Sequence, residues 1–222
     1  MRLAISVGGS LLGELNLRYL KQLASILTKL SSKHKLWVVV GGGEIARKYI
    51  SGARALGLDE SYLDSIGIDI TRANAKLLLG ALPQAYPEIP KDLDSALSAG
   101  KVANIVVMGG IHPAQTTDAV TAMLAERAKA EKLIIMTDVD GIYTKDPKKH
   151  KNAELLMKLS YEKLLEVTSR IGLEAGAKNP IDPVCAKIII RSKIPAFVIN
   201  GKNLKNLENL IEGKAFVGTT IK

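Results

Sequence analysis

The sequence predicts an α/β protein: a three-layer α/β/α sandwich around one large, mainly parallel sheet. Three observations lead there. Five short apolar runs recur along the 222 residues, each run ends in glycine, and stretches of helical periodicity separate them. The runs are "LAISVGGS" near the start, "LWVVVGGG" from Leu36, "IVVMGG" from Ile105, "LIIMTDVDG" from Leu133 and "PAFVING" from Pro195. They are rich in β-branched residues and lack in/out alternation, as expected of strands covered by helices on both faces.

After the first run, "NLRYLKQLASILTKLSS" sets Leu17, Leu20, Leu23, Leu27 and Leu30 on one stripe, with Asn16 as N-cap, so a helix is expected. The second run enters three glycines and then a helical segment carrying Arg47 and Lys48. The stretch "ESYLDSIG" also reads as helix, whereas "PQAYPEIP", with three of the eight prolines, reads as an exposed loop. A helix beginning at Thr116 or Thr117 follows the third run, and "KDPKKHK", Lys145 to Lys151, forms a second loop. Asp182 caps "DPVCAKIIIRS" with Pro183 at the first helical position, and "NLKNLENLIEG" closes on Gly213. Strands alternating with helices imply right-handed crossovers, with ligands expected at the strands' carboxyl ends.

Composition bounds the rest. With 47% hydrophobic and 24% charged residues, the chain can bury a full core as a single domain of two lobes, about 1–128 and 129–222. No apolar run reaches the ~18 residues of a membrane span, and the N-terminus reads as a strand rather than a leader, so a cytoplasmic protein is expected. Cys185 is alone and the three histidines have no zinc spacing. The net charge of +9 is scattered, and its one dense cluster lacks interleaved aromatics. That distribution suits small phosphorylated substrates better than nucleic acid.

The glycine endings carry the chemistry. Turns at Gly8–Gly9, Gly41–Gly43, Gly109–Gly110 and Gly141 should line one sheet edge with bare backbone, where N–H groups can approach phosphates. Any one of these turns serves equally well as a tight strand-to-helix connection. The GxxxxGK[ST] loop, a GxGxxG after a strand and the protein-kinase signatures are all absent.

Taken in order, "VGGSLL", "VVVGGGEIARKYI", "YLDSIGIDITRANAKLL", "VMGGIHPAQTTDAVTAMLAE", "TDVDGIYTKDP" and "IDPVCAKIIIRSKI" resemble the archaeal type of UMP kinase in the amino-acid kinase superfamily. The resemblance runs nearly end to end, and the pairing of "GGxHPxxTTDA" with "DVDGxYTxDP" is its most specific part. It implies transfer of the ATP γ-phosphoryl group to UMP, with Mg²⁺ accompanying ATP, in a homo-oligomer that is commonly a hexamer built from dimers.

By resemblance, Gly9, Ser10, Gly43, Arg47, Thr137, Tyr143 and Asp146 face ATP. Gly42, Asp64 and the loop Ile111, His112, Pro113, Ala114, Gln115, Thr116 and Thr117 face UMP, with Asp64 on the ribose. Arg47 and Asp118 take catalytic roles, the first on the transferring phosphoryl group and the second orienting donors around it. Two positions depart from the superfamily pattern. A first-strand lysine that bridges phosphates in many members is replaced by Ser6, which leaves Lys187 as a candidate for that charge. Asp138 stands where relatives often carry an amide or lysine, and is a candidate to help hold Mg²⁺. The same fold with another acceptor, or a regulatory protein without catalysis, are the alternative readings.

Overall fold

The computed structural model describes residues 1–12, 15–171 and 181–222. Among the described residues, seven strands form one sheet: β1 (Arg2–Val7), β2 (Lys35–Val40), β3 (Ile105–Met108), β4 (Lys132–Thr137), β5 (Lys158–Leu159), β6 (Ala196–Asn200) and β7 (Thr219–Ile221). Their spatial order is β3-β2-β1-β4-β6-β7-β5. All pairs are parallel except β6 with β7. The five expected strands are therefore the five parallel neighbours β3-β2-β1-β4-β6. β5 and β7 escape sequence reading because two or three residues at an edge carry too little pattern.

Eight α-helices among the described residues join them: α1 (Leu17–Ser31), α2 (Gly43–Ala55), α3 (Glu60–Gly80), α4 (Leu93–Val102), α5 (Thr117–Arg127), α6 (Tyr161–Ile171), α7 (Pro183–Ser192) and α8 (Leu204–Ile211). Strand residues split between two faces. Leu3, Ile5 and Val7 join Leu36, Val38 and Val40 in packing against Leu20, Leu23, Leu27 and Leu30 of α1, the end of α3 and α8, whereas Leu17, at the first turn of α1, is exposed. Ala4, Leu133, Ile135 and Val198 pack against α5, α6 and α7, while Trp37, Val39 and Val106 pack against α4 and α5. Helices on both faces make the expected three layers.

The expected caps form. Asn16 Oδ1 accepts the Tyr19 amide at 3.0 Å, Thr116 rather than Thr117 caps α5 through the Ala119 amide at 3.0 Å, and Asp182 caps α7. Gly213 ends α8 with φ +73°, a left-handed value that suits glycine. No helix among the described residues is long and apolar enough to cross a membrane.

Candidate functional site

The parallel strands deliver their loops to one edge, and there two glycine turns meet backbone to backbone. A Cβ on Gly9 would stand 2.0 Å from the Gly43 nitrogen, one on Gly41 would stand 2.6 Å from the Gly9 nitrogen, and one on Gly43, at φ +66°, would stand 2.3 Å from the Gly9 carbonyl oxygen. No side chain fits at that crossing, so the glycines are required first by packing. The same contact leaves the Gly9, Gly42 and Gly43 amides without a backbone acceptor among the described residues, beside the N-terminus of α2. Convergent free N–H groups at a helix start form an anion-binding concavity.

The other glycines depart from the expected row of bare backbone. The Gly110 amide is already used, donating to Thr71 Oγ1 at 2.7 Å. Gly141 is buried against β7, where a Cβ would meet Thr219 Oγ1 at 2.5 Å; Thr219 Oγ1 accepts the Ile142 amide at 2.8 Å. These two turns owe their glycines to close packing.

Helix α3 fixes the loops. Asn74 Nδ2 donates to the Gly41 carbonyl at 2.9 Å and the Gly42 carbonyl at 3.2 Å, and Arg72 Nε donates to the Gly110 carbonyl at 3.2 Å. Thr71 and Asn74 are buried polar residues in a helix interior. Their part is not evident from the sequence, where two small polar residues on the buried stripe of a helix are the available signal.

Between α2, α3 and the loop before α5 lies an open cleft of ≈ 240 Å³, lined by Gly42, Gly43, Asp64, Thr71, His112, Gln115, Thr116 and Thr117 among others. Asp64 Oδ2 accepts the Ala114 amide at 2.7 Å, and Ala114 sits at φ +60°. A left-handed alanine costs roughly 1 kcal/mol or more, and the charged acceptor on its amide offsets that cost. Asp64 Oδ1 has no protein partner among the described residues. Gln115 Oε1 is buried in the same wall without a hydrogen bond. Ile111 is buried, while His112 and Pro113 are exposed on the loop.

Around the start of α5 two carboxylates, Asp118 and Asp182, come within electrostatic reach of each other. Ser6 Oγ, fully buried on β1, donates to Asp118 Oδ1 at 2.5 Å. Desolvation pushes the Asp118 carboxyl up to about 6; the Ser6 bond opposes the rise and the negative charge of Asp182 adds to it. Asp182 uses Oδ1 to accept the Val184 and Cys185 amides of α7 at 2.8 and 3.0 Å, while Oδ2 accepts the Thr116 hydroxyl of α5. One carboxylate thus ties the starts of two helices. The Thr116 hydroxyl is committed twice, to Asp182 as donor and to Ala119 as acceptor, which leaves Thr117 the freer of the pair. Burial beside both acids also holds the Cys185 thiol well above its ordinary range.

Arg47, on the second turn of α2, is exposed and makes no ion pair or hydrogen bond among the described residues; the same holds for Lys187 on α7. On the β4 side of the edge, Thr137 ends the strand, Tyr143 Oη lies 3.4 Å from Asp140 Oδ2, and Asp146 Oδ1 accepts the Lys148 amide at 2.9 Å. Asp138 is ion-paired with Lys148. No group of three metal-ligating side chains occurs among the described residues.

A mainly parallel α/β sheet whose carboxyl edge crosses two glycine turns over a helix N-terminus defines a class of protein built to hold anionic groups on backbone amides. This chain belongs to the amino acid kinase family, whose model matches residues 1–200. It is 48% identical over 219 residues to a protein of Methanosarcina barkeri named uridylate kinase, covering 97% of this chain and 93% of that one. It is 49% identical over 207 residues to the uridylate kinase of Methanosarcina acetivorans, covering 91% and 88%. The crystal structure of uridylate kinase from Archaeoglobus fulgidus superposes with a TM-score of 0.91 at 41% identity, covering 100% of both chains.

Proposed function

We infer that the protein is an ATP-dependent UMP kinase, transferring the γ-phosphoryl group of ATP to UMP to give UDP and ADP. The observation that carries this reading is similarity along nearly the whole chain to proteins named uridylate kinase, in sequence and in fold. The cleft supports it chemically. Free amides at Gly9, Gly42 and Gly43 suit a phosphate, and Asp64 Oδ1 suits a ribose hydroxyl at the far wall.

In this reading the cleft, on the β2–β3 side of the first glycine turn, takes UMP, and the β4 side takes ATP, including Thr137, Tyr143 and Asp146. The reaction centre then falls at the Gly9–Gly43 crossing. A UMP phosphate oxygen needs no proton removed before attack, so positioning and charge stabilisation do the catalysis. Backbone donors supply part of this, and the unpaired Arg47 guanidinium supplies charge for the equatorial oxygens of the transferring group. Asp118, fixed by Ser6, orients neighbouring donors. Mg²⁺ arrives with ATP and neutralises its phosphates; Asp138, engaged with Lys148, is the nearest candidate to touch it. We further propose a homo-oligomer. The exposed Tyr49, Leu56 and Tyr62 on and between α2 and α3 are consistent with an unpartnered face.

The test is ADP release with a panel of acceptors: UMP, CMP, dUMP, carbamate, acetate and isopentenyl phosphate. Turnover confined to UMP and its close analogues is expected. Turnover with a non-nucleotide acceptor, or none with any, overturns the reading.

A further inference from the structure

The carboxyl edge has a second half beyond β1, formed by the ends of β4 and β6. The first glycine turn is bonded to it: the Gly8 amide donates to the Met136 carbonyl at 2.8 Å. Asp138 follows two residues later and stands on the β4 side of that turn, whereas the cleft lies on the β2–β3 side.

The partner of Asp138 comes from an excursion of the chain over residues 144–154. Its base is pinned where Tyr143 bridges Leu155, where the Thr144 amide donates to the Glu154 carbonyl at 3.0 Å, and where the Glu154 amide returns to Thr144 Oγ1 at 3.1 Å. From this loop Lys148 Nζ reaches back to Asp138 Oδ2. Burial of Asp138 opposes its ionisation, but the Lys148 ammonium, helped by Lys202 on the loop after β6, outweighs that and holds the carboxyl below its usual range. The pair is half open to solvent, with the lysine side chain 53% exposed and the aspartate 26%.

A triphosphate brings several negative charges to this edge, and the sheet beneath it supplies no cation to meet them. Ser6, the β1 residue under the turn, is fully buried and its hydroxyl is committed to Asp118. Lys148 and Lys202 are the cations placed beside Asp138.

We propose that Lys148 is a donor-phosphate ligand, held on Asp138 while the triphosphate is absent and handed to it on binding. This role rests on the UMP kinase reading, which gives the cleft to the acceptor and so leaves the β4 side to the donor. An open ion pair is a weak tie. A polyphosphate offers more charge and more acceptor oxygens than one carboxylate, so the exchange runs toward the phosphate. Asp138 keeps the lysine aimed at the edge, which lowers the ordering cost when ATP arrives.

Equilibrium titration of the full chain with ATP, without Mg²⁺ and without UMP, reads this independently of turnover. Lys148→Met is expected to weaken ATP binding by about tenfold, while Lys148→Arg keeps most of it. Asp138→Asn is expected to tighten ATP by about two- to fivefold, because the lysine is released from its competitor. That gain should vanish in the Lys148→Met/Asp138→Asn double variant. Unchanged affinity in Lys148→Met, weaker binding in Asp138→Asn, or a gain that persists in the double variant overturns the assignment. If the variants behave as expected in a protein that phosphorylates no UMP, Lys148 keeps its role and the acceptor reading falls. An active UMP kinase with indifferent variants removes Lys148 alone.

Discussion

Asp64 holds the loop before α5, because one of its oxygens accepts the Ala114 amide at 2.7 Å. In the proposed UMP site, the free oxygen is the one that would take a ribose hydroxyl. Asp64→Asn can still accept from Ala114 but loses the charge, so the UMP to dUMP preference in kcat/KM should narrow by roughly tenfold, mainly through UMP binding. An unchanged ratio would leave Asp64 as a loop anchor. Asp118 makes a different prediction, on stability. Its carboxyl is raised from 3.8 to about 6, so the folded state holds the proton more tightly than the unfolded one. The stability tied to that proton is fully present below pH ~3.8 and is lost as pH rises through about 6. Asp118→Asn removes the penalty, which is at most ~3 kcal/mol. The variant should therefore exceed the parent in thermal stability at pH 8 by more than at pH 4.5, while its turnover falls. Equal gains at both pH values would show that Asp118 ionises freely.

Elements meet at Asp182, which joins the starts of α5 and α7. Its role as a helix cap was legible, since an acid before proline at a helix start is a local pattern. Its bond to Thr116 was not, because the two residues lie 66 positions apart and only the sheet brings their helices together. Asp182→Asn separates the two functions. The amide oxygen can still cap α7, whereas the amide N–H₂ faces the Thr116 hydroxyl and reverses that bond. The melting temperature is expected to stay within a few degrees of the parent's, because the cap survives. The UMP KM should rise several-fold as the Thr116–Thr117 turn shifts. A parental KM would reduce Asp182 to a cap. The α3 residues Thr71, Arg72 and Asn74 belong to the same lesson: "TRAN" is ordinary helix until two glycine loops are laid against it.

For the whole molecule, the excess of positive charge and the exposed Tyr49, Leu56 and Tyr62 bear on assembly and substrate attraction. Light scattering at micromolar concentration should give a mass of several chains, six if the hexamer holds. A single-chain mass would remove the proposed oligomer. The two proposed lobes, about 1–128 and 129–222, share one unbroken sheet, with β1 and β4 paired at its centre.

The sequence by itself determined the five parallel strands, the layers of helix around them, the caps at Asn16 and Asp182, and the resemblance that points to UMP kinase chemistry. Those features are local or periodic: apolar runs, helical stripes, glycine endings and motif order. Tertiary structure alone decided which glycines leave amides free. Gly9 and Gly43 do, because two turns cross there; Gly110 does not, because Thr71 Oγ1 takes its amide, and Gly141 owes its missing side chain to Thr219 packed against it. It also decided that Ser6 serves Asp118 rather than a phosphate, that Asp64 anchors a loop, and that Lys148 stands on Asp138. Each of these is a contact between segments distant in the chain, and a hydrogen bond's partner is set by where the fold places both ends.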